Sequence, residues 1–198
     1  MDPGDGAAAA EGLEVRRLAP SDLPLLSRWL ENPDVSRYFT ESADMDNIAA
    51  KYGSRIAELR GDPPLRPGLI VPNLVLREGR PIGYGQYYLL TPGDLASYRL
   101  PAGSSWGGFD LFIGEPALWG RGIGTALVTW LLERLQSAGA AAVAIDTWVG
   151  NARAIRCYEK AGLRKAWSLP RHETWQGQVR DHVVMVWRPP GGEAPPDA

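Results

Sequence analysis

The ten residues Leu118-Trp-Gly-Arg-Gly-Ile-Gly-Thr-Ala-Leu127 carry the strongest chemical signal in the chain. Glycines at 120, 122 and 124 let a backbone adopt positive φ and approach a ligand with no Cβ in the way. The apolar periodicity that follows is helical, so these glycines open a helix. Consecutive N–H groups at a helix start, reinforced by the positive end of its dipole, bind phosphate oxygens. Arg121 could add charge at the mouth and Thr125 a hydroxyl donor. The spacing Gly-x-Gly-x-Gly does not fit G-x-G-x-x-G, and no Gly-Lys-Ser/Thr follows, so neither a dinucleotide turn nor a Walker A loop is expected. A tight turn with no ligand remains the alternative to an anion cradle.

Other residues could do acid–base work. A helix over 151–161 places Asn151, Ala154 or Ile155, and Tyr158 on one face, three to four residues apart. Asp110 and Asp146 sit near the ends of apolar strands, where an unpaired carboxylate is costly. Each either receives a proton in a partly dry cleft, caps a turn or pairs with a base. Cys157 lies about 100° around the helix from Tyr158 with no histidine in that helix, and reads as a packing residue.

The elements that must position these groups follow from periodicity. Leu13–Leu18 alternates as a strand, and Leu23–Leu30 is a short amphipathic helix ended by Asn32-Pro33. A second helix is expected from about Met45 to Leu59. Strands follow at 69–76 and 82–90, joined through Glu78–Pro81. Thr91–Ser105 reads as a loop without periodicity, Trp106–Gly114 as a strand, and Arg121–Ala138 as the clearest helix. Ala140–Thr147 is a buried strand, Gly162 closes the 151–161 helix, and 163–169 and 179–187 supply the last strands. The expectation is a single mixed α/β domain at 13–188, with about seven strands and about four helices. Residues 1–12 and 189–198, rich in Ala, Gly, Pro and acids, are expected to be disordered tails.

Composition narrows the function classes. The 198 residues hold 21 Lys plus Arg against 23 Asp plus Glu. The two tails contain five acids and no base, so residues 13–188 carry 18 acids against 21 bases. The acidic balance therefore belongs to the tails. A total charge of −2 argues against a general nucleic-acid binder. One cysteine excludes an internal disulfide, and with two histidines it gives no zinc-finger spacing; no metal is expected. No run of 18 apolar residues and no basic-then-apolar leader is present, so a cytoplasmic protein without membrane contact is expected.

The glycine turn resembles motif A of the GCN5-related N-acetyltransferases, Q/R-x-x-G-x-G/A, with Gly122 and Gly124 at the glycine positions and Trp119 in place of Gln/Arg. Asn151-Ala-Arg-Ala-Ile-Arg-Cys-Tyr-Glu-Lys-Ala-Gly-Leu163 resembles that family's block N-x-x-A-x-x-x-Y-x-x-x-G-F, with Leu163 in place of Phe. The resemblance covers roughly residues 13–188. It implies acetyl-CoA as co-substrate, held by Phe112, Ile113, Trp119, Gly120, Arg121, Gly122, Ile123, Gly124, Thr125, Asn151 and Ala154. Tyr158 would then sit where the thiolate leaves, as its acid.

Within the family, Pro81-Ile-Gly-Tyr-Gly-Gln-Tyr87, Gly108-Phe-Asp110 and Ile145-Asp146 are similar to the aminoglycoside 6'-N-acetyltransferase branch. This similarity implies Asp110 as the base, directly or through water, and Asp146 as a ligand of the aminoglycoside. Tyr38, Asp94 and Trp148 join them as candidate acceptor contacts. Residues 31–46 hold Glu31, Asp34, Glu41, Asp44 and Asp46 against Arg37, a patch that either attracts a cationic amine or is a solvated surface. Trp29, Tyr38, Phe39, Tyr84, Tyr87, Tyr88 and Trp106 could wall the cleft, whereas Trp130 and Trp187 read as core.

The expected activity is direct acetyl transfer to a primary amine in a ternary complex, by a monomer or homodimer, with antibiotic resistance as a possible consequence. The rivals are a protein N-terminal or polyamine acetyltransferase and a non-catalytic acyl-CoA sensor.

Overall fold

The structure is a computed structural model that describes residues 12–38, 48–175 and 177–191. β1 (Leu13–Arg17) leads through a 3-10 turn into α1 (Leu23–Leu30), α2 (Pro33–Ser36) and α3 (Ile48–Glu58). β2 (Val71–Arg77) and β3 (Arg80–Leu89) form a hairpin, and α4 (Pro92–Tyr98) precedes β4 (Trp106–Ile113). Then come α5 (Ile123–Ser137), β5 (Ala142–Trp148), α6 (Ala152–Lys160), β6 (Arg164–Trp175) and β7 (Gln178–Trp187). Among the described residues the seven strands match expectation, while six α-helices replace the four expected. The expected tails and the first residues of the 45–59 helix fall largely outside the described residues.

Both extra helices begin at a proline. Asn32 Oδ1 accepts from Asp34 N at 3.0 Å, so Asn32-Pro33 ends one helix and caps the next. At α4, Thr91 and Asp94 form a reciprocal capping box ahead of Pro92. Proline at the first helical position costs nothing, because its missing N–H would be orphaned there anyway. Part of the expected 91–105 loop is thus a helix.

The sheet order is β1-β2-β3-β4-β5-β7-β6. All neighbours are antiparallel except β4 and β5, which run parallel and pair only at Trp106–Ala142 and Gly107–Val143. Beyond those two pairs β4 stays with β3, and β5 stays with β7. The sheet therefore splits into two leaves with a gap between them.

Strand alternation assigns side chains to two faces, except that a β-bulge opposite Val75–Leu76 puts Ile82 on the face opposite to Tyr84. One face carries Val75, Ile82, Phe109, Val143, Ile145, Val183 and Met185, packed beneath α5 and α6. Leu127, Leu131 and Leu135 of α5 are fully buried there, and each contributes about 1.5–3 kcal/mol by burial. The opposite face carries Leu74, Tyr84 and Phe112 beneath α1–α3, and Trp106, Ala144 and Val184 beneath α4. By the same alternation Gln86, Asp110, Asp146, Arg180 and His182 all point to this second face. Asp110 and Asp146 lie within their strands rather than at the strand ends, one on each side of the split.

Candidate active site

A cavity of about 510 Å³ occupies the split and receives groups from both faces. On the α5 side, Gly122 caps the helix with φ 82°, and no side chain caps its first turn. The orphaned amides of that turn open into the cavity beside Gly120, at φ 77°. A Cβ on Gly124 would stand 3.1 Å from Cys157 Sγ, so glycine there is what lets α6 close against α5. Arg153, Arg156 and Lys160 of α6 line the same end, and the Arg153 guanidinium lies 4.2 Å from the Trp119 ring. Uncapped amides, a bare cradle and three cations fit the pyrophosphate and phosphate groups of a coenzyme A molecule.

Trp119, at the position where the motif expects Gln or Arg, donates from Nε1 to the Ile113 carbonyl at 2.8 Å and braces the loop against β4. Phe112, Ile113, Ile123, Thr125, Asn151 and Ala154 also line the cavity. Asn151 is the N-cap of α6, with Oδ1 accepting from Ala154 N at 3.3 Å. Arg121 is exposed and does not line the cavity, because the turn points it outward between its glycines.

On the other face Asp110 is the end of a buried chain. Arg55 Nη1 and the Tyr84 hydroxyl both donate to Gln86 Oε1, at 2.8 and 2.6 Å. With its oxygen so occupied, Gln86 turns Nε2 to Asp110 Oδ2 at 2.5 Å. Tyr88 is a further donor to Asp110. Burial pushes the Asp110 carboxyl above the usual carboxylate range and Asp146 adds to it, against the lowering effect of Gln86, Tyr88 and Arg55. A raised carboxyl at the mouth of the split suits a proton acceptor near neutral pH.

Asp146 is held differently. Tyr98 donates to its Oδ1 at 2.6 Å, His182 Nδ1 meets Oδ2 at 2.5 Å, and His172 Nε2 lies 3.5 Å from Oδ2. Burial alone would raise this carboxyl; His182 and Tyr98 outweigh it and hold it below its ordinary range. Glu173 Oε2 stands 3.3 Å from the other ring nitrogen of His182. Beside this cluster Tyr38 stacks on Trp148, ring centroids 6.2 Å apart, and Arg180 is held between Trp148 and Trp175 at 4.3 and 4.0 Å.

Tyr158 projects from α6 against Phe109 of β4, edge to face at 5.8 Å. Its hydroxyl has no hydrogen-bond partner among the described residues, and burial holds its pKa well above the ordinary phenol value. It would therefore stay protonated and could serve as a donor. Cys157 packs on the core cluster while also touching the cavity, near Thr125 Oγ1 at 3.6 Å. Burial raises its thiol pKa, which opposes a thiolate nucleophile.

The split thus brings together Asp110, Asp146, Tyr38 and Trp148 with Tyr158 and the glycine turn. Asp94 is not among the lining residues. Its carboxylate accepts from Thr91 N and Thr91 Oγ1, at 2.8 and 2.7 Å, so it caps α4 rather than contacting an acceptor. Trp29, Tyr84 and Trp106, expected to wall the cleft, are buried in the core, and Tyr87 packs on Trp130. Phe39, Glu41, Asp44 and Asp46 fall outside the described residues.

Of the expected 31–46 acidic patch, Asp34 lines the cavity, whereas sequence reasoning missed His182, Glu173 and Arg180, which also line it, and the Arg55–Gln86 link behind Asp110. Alternation along β7 could have placed His182 and Arg180 on one face. Nothing in the sequence said that this face borders the gap.

Comparison with known proteins agrees with this geometry. A family model described as "Acetyltransferase (GNAT) domain" matches residues 19–169. Aminoglycoside N(6')-acetyltransferase type 1 of Klebsiella pneumoniae is 25% identical over 156 residues, which cover 78% of this chain and 75% of that protein. The Serratia marcescens protein of the same name gives the same figures. The crystal structure of aminoglycoside acetyltransferase AAC(6')-Ib with coenzyme A superposes with a TM-score of 0.69 at 24% identity, over 89% of this chain and 94% of that one. Spermidine N-acetyltransferase from Vibrio cholerae, in complex with CoA and spermine, gives 0.69 at 18% identity, over 90% and 96%. At such identities the superpositions speak for the fold alone. The family model spans most of the folded chain, and the glycine turn, the split sheet and the α6 tyrosine are all in place: the protein belongs to the GNAT family and is an N-acetyltransferase.

Proposed function

We propose that the protein acetylates a primary amine of a cationic small molecule, of aminoglycoside 6'-amino type, with acetyl-CoA as donor and by direct transfer in a ternary complex. One observation carries the choice of acceptor. Asp34, Asp110, Asp146 and Glu173 line the cavity and outnumber Arg180 and His182 beside them, while the other lining cations, Arg153, Arg156 and Lys160, project from α6 beside the glycine turn. The cavity is therefore polarised, with an anion cradle on the α5–α6 face and carboxylates on the other.

When bound, acetyl-CoA supplies the activated acyl thioester. The amides from Gly120 to Thr125, with Arg153, Arg156 and Lys160, hold its phosphates. Asp110 takes the proton that an ammonium must lose before its nitrogen can attack, directly or through one water. Tyr158 offers a protonated hydroxyl to the departing sulfur. Cys157 takes no part, so no acyl-enzyme forms. Tyr38 and Trp148 border the acceptor end of the cavity.

The test follows release of CoA thiol with kanamycin, spermidine and a peptide amine. Kanamycin-dependent release is expected, and Asp110→Asn and Tyr158→Phe should each lower kcat by roughly 10²–10⁴. Release with spermidine or the peptide alone would move the acceptor to that class. Acetyl-CoA binding with no amine-dependent release would leave a sensor rather than an enzyme.

A further inference from the structure

His182 is buried on the carboxylate face of the cavity, with a carboxylate at each ring nitrogen. Nδ1 meets Asp146 Oδ2 at 2.5 Å, within hydrogen-bond distance. Nε2 is buried without an aligned hydrogen-bond partner, although Glu173 Oε2 lies 3.3 Å away. The contact is thus at ion-pair distance with poor angles, and the donor capacity of Nε2 is largely unspent. Acids at both nitrogens favour the imidazolium form of the ring. Burial works against the charge, but Asp146 and Glu173 together hold the His182 pKa above its ordinary value.

The other groups around the ring are accounted for. Tyr98 of α4 occupies Asp146 Oδ1, His172 of β6 lies with its ring centroid 5.2 Å from that of His182, and Arg180 of β7 is held between two tryptophans. Asp146, His172 and His182 also bring their ligand atoms within 4.8 Å of one another. However, two atoms sharing a tetrahedral zinc ion stand about 3.3 Å apart, given metal–ligand lengths near 2.0–2.1 Å. The 2.5 Å contact is that of a proton between them.

We propose that His182 holds the place of a second cation in the acceptor subsite: protonated in the free protein, it gives up its Nε2 proton to solvent when an acceptor with a second ammonium group docks at Glu173. The neutral ring keeps its Nδ1 proton on Asp146 and presents the Nε2 lone pair, so the incoming ammonium can donate to both Nε2 and Glu173. One positive charge leaves the subsite as one enters. The subsite then keeps a positive charge between Asp146 and Glu173 when empty and avoids two adjacent cations when filled. The inference rests on the amine acceptor proposed above and adds that the acceptor carries at least two cationic centres.

The experiment is calorimetric titration of kanamycin, and of the monoamine cyclohexylmethylamine, into the CoA-loaded protein. It is run at pH 6.5, where alkylammonium groups are charged, in phosphate and in Bis-Tris, whose ionisation enthalpies differ. Kanamycin should release a fraction of a proton approaching about one, and its affinity should rise by up to about ten-fold per pH unit through the His182 titration. The monoamine should release none. His182→Gln should abolish both effects. Glu173→Gln should shift the pH dependence downward, and this decides the matter even if the histidine variant does not fold.

Kanamycin binding without proton exchange, or release that persists in His182→Gln, overturns the inference and leaves the acetyltransferase reading standing. If CoA binds but kanamycin neither binds nor supports thiol release, the aminoglycoside reading falls as well.

Discussion

Replacing Gln86 by glutamate isolates the control of Asp110 from the integrity of the fold. Arg55 Nη1 and the Tyr84 hydroxyl keep an acceptor in Gln86→Glu, because both now donate to the Oε1 atom at 2.8 and 2.6 Å. What changes is the contact to Asp110, where Nε2 now donates at 2.5 Å. In the variant two carboxylate oxygens face each other there, and the pair must share a proton. A hydrogen bond to a charged group is worth about 1.5–3 kcal/mol. At about 1.4 kcal/mol per pKa unit, losing it alone raises Asp110 by about one to two units. Carboxylate repulsion adds to that figure. The acid limb of kcat/KM should therefore move up by at least about one unit, with activity on that limb reduced roughly 10–100-fold and recovered at high pH. The assay is CoA-thiol release from pH 5 to 9, with thermal melting as the control for folding. An acid limb that does not move in a normally melting variant refutes the assignment of Asp110 as the group that takes the proton.

Two further outcomes follow from the geometry. Gly124→Val should weaken acetyl-CoA binding and cost about 1–3 kcal/mol, because the new Cβ would stand 3.1 Å from Cys157 Sγ at the α5–α6 seam; titration of acetyl-CoA and thermal melting read the two effects separately. Linkage through the His182–Asp146 pair gives a stability plateau. Asp146, whose pKa is depressed, contributes above its unfolded value of 3.8 and loses that contribution as pH falls through its folded value. His182, whose pKa is raised, contributes below its unfolded value of 6.5 and loses that contribution as pH rises through its folded value. The melting-temperature gap between the native protein and His182→Gln should therefore be widest from about pH 4 to 6.5 and narrow above. A gap that does not vary with pH contradicts the charged pair.

Local chemistry was legible where the residues that matter are neighbours in the chain. The glycine run, the α6 face from Asn151 to Tyr158 and the alternation of the strands each depend on separations of two to four residues. The hairpin turn at Glu78–Gly79, with φ of 51° and 72°, is local in the same way. Asn32-Pro33 ends α1 as expected, but Pro33 and Pro92 also begin helices that periodicity did not show. Asp94 failed for a related reason: Thr91, three residues earlier, already satisfies it, and a capping box was there to be read.

The sequence by itself determined the seven strands, four of the six described helices, the glycine turn that opens α5, and the placing of Tyr158 on a helix and of Asp110 and Asp146 on strands. Tertiary structure alone decided that β4 and β5 part after two residue pairs, because strand divergence depends on what packs on each leaf. That gap sets Asp110 across from Asp146 and lets the two faces of the sheet meet. Only the fold joined Arg55 to Gln86, 31 residues apart, and Asp146 to His182, 36 apart. Side-chain period says which face a residue takes, whereas the partner it meets there is set by strand order.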